Sequence, residues 1–188
     1  MIELELKAVV EDADGLAERV KRSGARESYA GRMTDLRYDY ADEALTARDE
    51  VVRLRIYQDG RGERASLDWK GPAGLESGYK RREEISTDVG DSTVMRTVLT
   101  RIGLHVTRTI DRRIRQFELD GATIRLEHYY QMDDLVEVEG SPEAIERAIA
   151  VTGIPRAAFT SANLAELCAR FTARTGRAAI TGTSDSDA

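Results

Sequence analysis

The chain has 188 residues, enough for one domain with a full core and too few for two ordinary ones. A third of the residues are charged and 41% are hydrophobic, which fits a soluble globular protein, and no apolar run approaches the roughly 20 residues of a membrane span. The net charge of −6 weighs against a general nucleic-acid binder; the single cysteine, Cys168, excludes a disulfide framework or a Cys-based zinc site within one chain; the lack of a leader-like pattern after Met1 predicts a cytoplasmic protein.

Residues 2–10 alternate, with Ile2, Leu4 and Leu6 set against Glu3, Glu5 and Lys7, the mark of a strand with two unlike faces. Asp12 and Asp14, then Leu16, Ala17 and Val20, then Gly24 predict a short helix. Residues 27–41 read as extended. After a polar turn, Val52, Leu54 and Ile56 alternate with Arg53, Arg55 and Tyr57. Asp59-Gly60-Arg61-Gly62 is a hairpin signal leading to a strand over 64–71, where Leu67 and Trp69 alternate with Asp68 and Lys70. Residues 79–87 give another strand, and Val94, Val98, Leu99 and Ile102 share one face of a helix over 91–102. A long basic strand over 104–118, a turn at Asp120-Gly121, and strands over 123–131 and 135–139 follow. Ser141-Pro142-Glu143 opens a helix with proline at its first position. A last helix is expected over about 161–173, inside a domain of residues 1–174. The tail of 175–188 has little to bury and is expected to be disordered.

About eight strands joined mostly by tight turns predict a mainly antiparallel sheet, and eight such strands can close into a barrel with room for one small ligand. The polar faces are unusual. Carboxylates gather on the first and last strands, guanidinium and ammonium groups gather on the middle ones, and arginine outnumbers lysine. Arginine's planar fork suits phosphate oxygens. The expected architecture is therefore an inverted α+β barrel, a tunnel with a charged interior and helices packed outside on its apolar face. So many buried charges need partners or ligands. A polyphosphate together with Mg²⁺ or Mn²⁺ would satisfy both signs at once.

Glu3-Leu4-Glu5-Leu6-Lys7 reads E-x-E-x-K on the first strand. Asp35–Asp39, Arg53-Leu54-Arg55, Trp69-Lys70-Gly71-Pro72, Arg82-Glu83-Glu84, the basic pair Arg113 and Arg115, Glu127, and Glu137-Val138-Glu139 follow in order. This series, spanning roughly residues 2–171, resembles the CYTH superfamily of triphosphate tunnel metalloenzymes, which includes class IV adenylate cyclases, thiamine triphosphatases and other triphosphatases. The resemblance implies metal ligands among Glu3, Glu5, Glu127, Glu137 and Glu139. It implies a phosphate clamp of Lys7, Arg53, Arg55, Lys70, Arg82, Arg113 and Arg115, with Arg125 a weaker member, and a direct part in the reaction for Lys7, Arg55 and Tyr38. Tyr29 is an alternative to Tyr38 beside Lys7. Glu84 is expected to orient an arginine rather than bind metal, and Asp35 and Asp39 to serve packing and turns. His105, His128, Cys168 and Trp69 read as structural.

The expected activity is metal-dependent phosphoryl transfer on a small-molecule triphosphate, with hydrolysis favoured over cyclisation of ATP. Polyphosphate sensing without turnover and a nucleic-acid-binding barrel are the non-enzyme alternatives. Homodimers are common among similar proteins, and no membrane or nucleic-acid partner is expected.

Overall fold

Period-two patterning builds most of the molecule. The computed structural model describes residues 1–182. In chain order it runs β1 (Ile2–Val10), α1 (Ala13–Arg22), β2 (Arg26–Asp39), β3 (Val51–Asp59), β4 (Gly62–Lys70), β5 (Gly74–Glu76), β6 (Tyr79–Val89), α2 (Ser92–Arg101), β7 (His105–Leu119), β8 (Ala122–Tyr129), β9 (Asp134–Glu139), α3 (Pro142–Thr152) and α4 (Leu164–Thr175). All pairings are antiparallel, in the order β1-β9-β8-β7-β2-β3-β4-β6, and β1 pairs with β6 to close an eight-stranded barrel. The short β5 adds an extra strand beside β6. This is the α+β barrel expected from the sequence.

Local chemistry places the helices. Asp12 caps α1 by accepting the Gly15 N–H, Ser141 caps α3 ahead of Pro142, and Asn163 with Glu166 forms a reciprocal capping box on α4. Asp120 and Gly121 both take positive φ (46° and 84°), as a tight hairpin between right-twisted strands demands.

The core lies outside the barrel wall. Leu6, Phe117, Ile124, Val136 and Val138 point outward and pack with Leu16 and Val20 of α1 and Ile145 and Ile149 of α3. Each fully buried side chain of this size stabilises the fold by ~1.5–3 kcal/mol. Leu36, Tyr38 and Leu54 form a second outward cluster with Leu99 and Met95 of α2. With α1 and α3 on one side of the barrel and α2 on another, the odd-numbered residues of β1 and their equivalents on other strands are left to line the interior.

At one end of the barrel α4 packs over Ile110, Tyr129 and Leu135. The chain then runs back along the wall. Ile180 pairs with Gln131, and the Thr181 carbonyl accepts the Asp111 N–H at 2.7 Å. The segment expected to be disordered from 175 is thus held by backbone hydrogen bonds to this point, because it finds open strand positions on β7 and after β8. Residues 183–188, the rest of that expectation, lie outside the described residues. Among the described residues, no helix is long and apolar enough to cross a membrane.

Candidate active site

The barrel encloses a cavity of about 500 Å³. Its β1–β9 wall carries Glu3, Glu5, Lys7, Glu137 and Glu139. One oxygen from each of Glu3, Glu5 and Glu139 lies within 4.8 Å of the other two. Burial, helped by a hydrogen bond with Glu84, pushes Glu3 up to about 7, with the Lys70 ammonium pulling the other way. Burial also raises Glu139 well above the usual carboxylate range, Glu137 adding to the effect against Arg125. Glu5 is held down at about 2 because Lys7 and Lys80 outweigh its burial. Three converging carboxylates, two of them resisting ionisation, form a hard-oxygen donor set suited to Mg²⁺ or Mn²⁺.

Glu137 and Glu127 are engaged elsewhere. Glu137 is ion-paired with Lys7 and takes Arg125 Nη1 at 2.5 Å, and those two cations hold it well below its usual pKa despite burial. Glu127 accepts Arg112 Nε at 3.1 Å and the Tyr129 hydroxyl at 2.5 Å. Of the five carboxylates expected to bind metal, the structure brings three together and places two in ion pairs beside them.

The β2–β3–β7 wall is cationic. Asp35, 1% exposed, sits among three guanidiniums: Arg55 Nε at 2.7 Å and Nη2 at 3.0 Å, Arg112 Nη2 at 3.0 Å, and Arg53 Nη1 at 3.5 Å. Their charges overcome burial and keep Asp35 far below the usual range. Arg53 also grips Asp68 at 2.6 and 2.9 Å. Lys70 is ion-paired with Glu84 and reaches Glu3 at 3.4 Å, while Lys80 reaches Glu5 at 2.6 Å. Arg82 donates to the Asp49 carbonyl and carboxylate at 2.6 and 2.7 Å. Three buried guanidinium nitrogens, Arg37 Nε, Arg82 Nε and Arg112 Nη1, have no hydrogen-bond partner among the described residues. Buried polar atoms are normally paired. In a cavity of this size, unpaired cationic donors fit the oxygens of a polyanion.

Lys7, Arg53, Arg55, Lys70, Arg82 and Arg125 all face the cavity, as expected from the sequence. Arg113 and Arg115 do not. Arg113 is exposed, and Arg115 pairs with Glu27 at 2.8 Å on the outer surface. The inward side of β7 is the even-numbered one, carrying Arg108, Ile110 and Arg112. Tyr38 points outward into the α2 cluster, so it is not placed to act on a ligand. Tyr29 lies at one end of the barrel, its hydroxyl donating to the carbonyls of Arg32 and Gln58, outside the cavity lining. The tyrosine inside is Tyr129. Asp39 is a turn residue, accepting three backbone N–H groups and the Thr46 hydroxyl. Sequence reasoning missed Arg112, Tyr129, Arg37, Arg108 and Lys80 as lining residues.

No protein-family model matches the sequence. A putative adenylate cyclase of Methanocaldococcus jannaschii is 28% identical over 116 residues, 62% of this chain and 63% of that protein, so the match spans less than two thirds of the relative. Among solved structures, a putative adenylate cyclase of Vibrio parahaemolyticus aligns with a TM-score of 0.76 at 19% identity, covering 90% of this chain and 98% of its own. The PH1819 protein of Pyrococcus horikoshii gives 0.72 at 23%, covering 89% and 98%. A putative adenylyl cyclase of Hippeastrum, described as having a dominant triphosphatase activity, gives 0.65 at 16%, covering 95% and 97%. These likenesses establish a shared fold.

Proposed function

We propose, from a chain that has the closed-barrel fold of CYTH-type proteins, that this protein is a divalent-metal-dependent enzyme hydrolysing a small-molecule triphosphate in the cytoplasm. The observation that carries the reading is a carboxylate trio and unpaired buried guanidinium nitrogens facing one enclosed cavity. Glu3, Glu5 and Glu139 would hold Mg²⁺ or Mn²⁺. A bound cation of this kind polarises phosphoryl oxygens and neutralises charge on the leaving group.

The chain's own residues do the rest. Arg53, Arg55 and Arg112 are already oriented by Asp35, so their donors meet phosphate oxygens without reorganisation. Lys70 and Arg82 face the same space from β4 and β6. Together they fix the phosphate chain for in-line attack by water. A new P–O bond forms to the water oxygen as the bond to the neighbouring phosphate breaks, and the guanidiniums take up the charge that moves onto the leaving oxygen.

Cyclisation of ATP is the second reading, because relatives with this fold are named for it. Two observations favour hydrolysis. One neighbour is described as dominantly a triphosphatase. Tyr129 is the only aromatic among the described lining residues, and it is engaged with Glu127, so the cavity offers no free ring on which a base could stack.

The test is to incubate the protein with tripolyphosphate, thiamine triphosphate and ATP in Mg²⁺ or Mn²⁺ and resolve the products. Orthophosphate is expected; cyclic AMP with pyrophosphate would make it a cyclase, and no product with either metal would remove the enzyme reading. Glu3→Gln should lower kcat by about 100-fold or more with no loss in melting temperature, since Gln can keep the hydrogen bond with Glu84 and the one ion pair lost, to Lys70, is long at 3.4 Å.

A further inference from the structure

Arg37 and Arg108 are cross-strand neighbours on β2 and β7, and both line the cavity. They differ from the other arginines that line the cavity, because neither is ion-paired to a carboxylate among the described residues. Arg53, Arg55, Arg112 and Arg125 each grip at least one acid, and Arg82 grips Asp49. The Cys168 thiol of α4 lies beside Arg108. Arg37 Nε is buried with no hydrogen-bond partner among the described residues. Burial and the guanidiniums of Arg53, Arg108 and Arg112 depress Arg37 to about 10, which reports a local surplus of positive charge. Placing two unpaired guanidiniums side by side is costly unless an anion visits them.

Their position gives that anion a length. In the ring of eight strands β2 stands four places from β1, directly across the barrel. The carboxylate trio is on the β1–β9 wall and the arginine pair is on the β2–β7 wall. A phosphate chain engaged at the trio through a cation must extend across the bore to reach Arg37 and Arg108.

We propose that Arg37 and Arg108 form the subsite for the phosphate farthest from the carboxylate trio, and that this pair selects a three-phosphate chain over a two-phosphate one. The inference rests on the triphosphatase reading. Pyrophosphate held at the trio leaves the pair empty, whereas a triphosphate satisfies it.

Titration calorimetry with Mg²⁺ and either tripolyphosphate or pyrophosphate tests this on wild type, Arg37→Gln, Arg108→Gln and the double variant. Tripolyphosphate affinity should fall about tenfold or more in each single variant, the scale of a lost charge-assisted contact. Pyrophosphate affinity should change by less than about twofold. Arg37→Lys, which keeps the charge, should recover part of the loss. Melting temperatures should not fall, because removing one of two repelling guanidiniums relieves the fold. Equal losses for both ligands, no loss for either, or a clear drop in melting temperature would overturn the proposal. Wild-type protein that binds tripolyphosphate without hydrolysing it would overturn the enzyme reading alone, with the length selection still read by calorimetry. Wild type that binds neither ligand would overturn both.

Discussion

Asp35 is one carboxylate shared by three guanidiniums from β3 and β7. Removing it leaves the buried Arg55 without an acidic partner, while Arg53 and Arg112 keep Asp68 and Glu127, and breaking a buried pair in this way typically costs ~3–5 kcal/mol. Asp35→Ala should therefore lower stability by that amount in urea denaturation, and tripolyphosphate should restore part of it by supplying replacement anions. A loss below about 1 kcal/mol would show that the hub does not organise the wall. Asp35 reads in the sequence as a packing and turn residue, because its three partners are 18, 20 and 77 positions away and meet it only through strand register. Arg112 was hidden for another reason. Charges occupy both faces of β7, and the even-numbered face also carries Ile110 and Ile114, so polarity alone points to the wrong side. Those two isoleucines face inward, Ile110 beneath α4 and Ile114 against Tyr29 and Met33. By contrast, the E-x-E-x-K alternation of β1 was readable directly, because its apolar and charged residues never mix.

Among the elements, β2 depends on a close approach at Gly31. A Cβ there would stand 2.5 Å from both the Gln58 carbonyl oxygen and the Tyr29 hydroxyl. That hydroxyl donates to Gln58 O at 2.9 Å, and the Tyr29 ring meets Tyr57 edge-on at 5.1 Å. Gly31→Ala should thus displace the tyrosine and destabilise the protein by ~1–3 kcal/mol, visible as a lower melting temperature and greater exposure of Tyr29 to quenchers. An unchanged melting temperature would mean the strand can shift at no cost. Helix limits were legible where caps announce them, at Asp12 and at Ser141-Pro142. The start of α4 was expected near 161 and lies at Leu164, because Thr160 first exchanges two backbone hydrogen bonds with Lys7 before Asn163 caps the helix. That pairing is tertiary, and no local pattern encodes it.

At the scale of the whole molecule, the barrel interior is an ionic lattice, and its response to acid follows from the direction of its shifts. Asp35 and Asp68 are held below the ordinary aspartate value by their arginines despite burial, and Asp39, also buried, is drawn from 3.8 to about 2 by the Thr46 hydroxyl and three backbone N–H groups. A folded pKa below the unfolded one means the stabilisation is complete above the unfolded value and is lost as pH falls through the folded value. Melting temperature should therefore vary little through these groups between pH 7 and 5 and fall steeply from about pH 4 towards 2. Thermal unfolding across a pH series reads this, and a flat profile down to about pH 2.5 would contradict it. Barrel closure itself was foreseeable from eight alternating strands and tight turns; which strands meet at the join was not, since β1 and β6 are far apart along the chain.

That join is the shortest of the eight seams, running only from Ile2–Glu5 against Lys80–Glu83. Lys80 and Arg82 reach inward from one side of it, Glu3 and Glu5 from the other. The proposed polyanion and its cation, gripped there, would act as a clasp on the cylinder's zip, so that loading the bore would also lock the barrel shut.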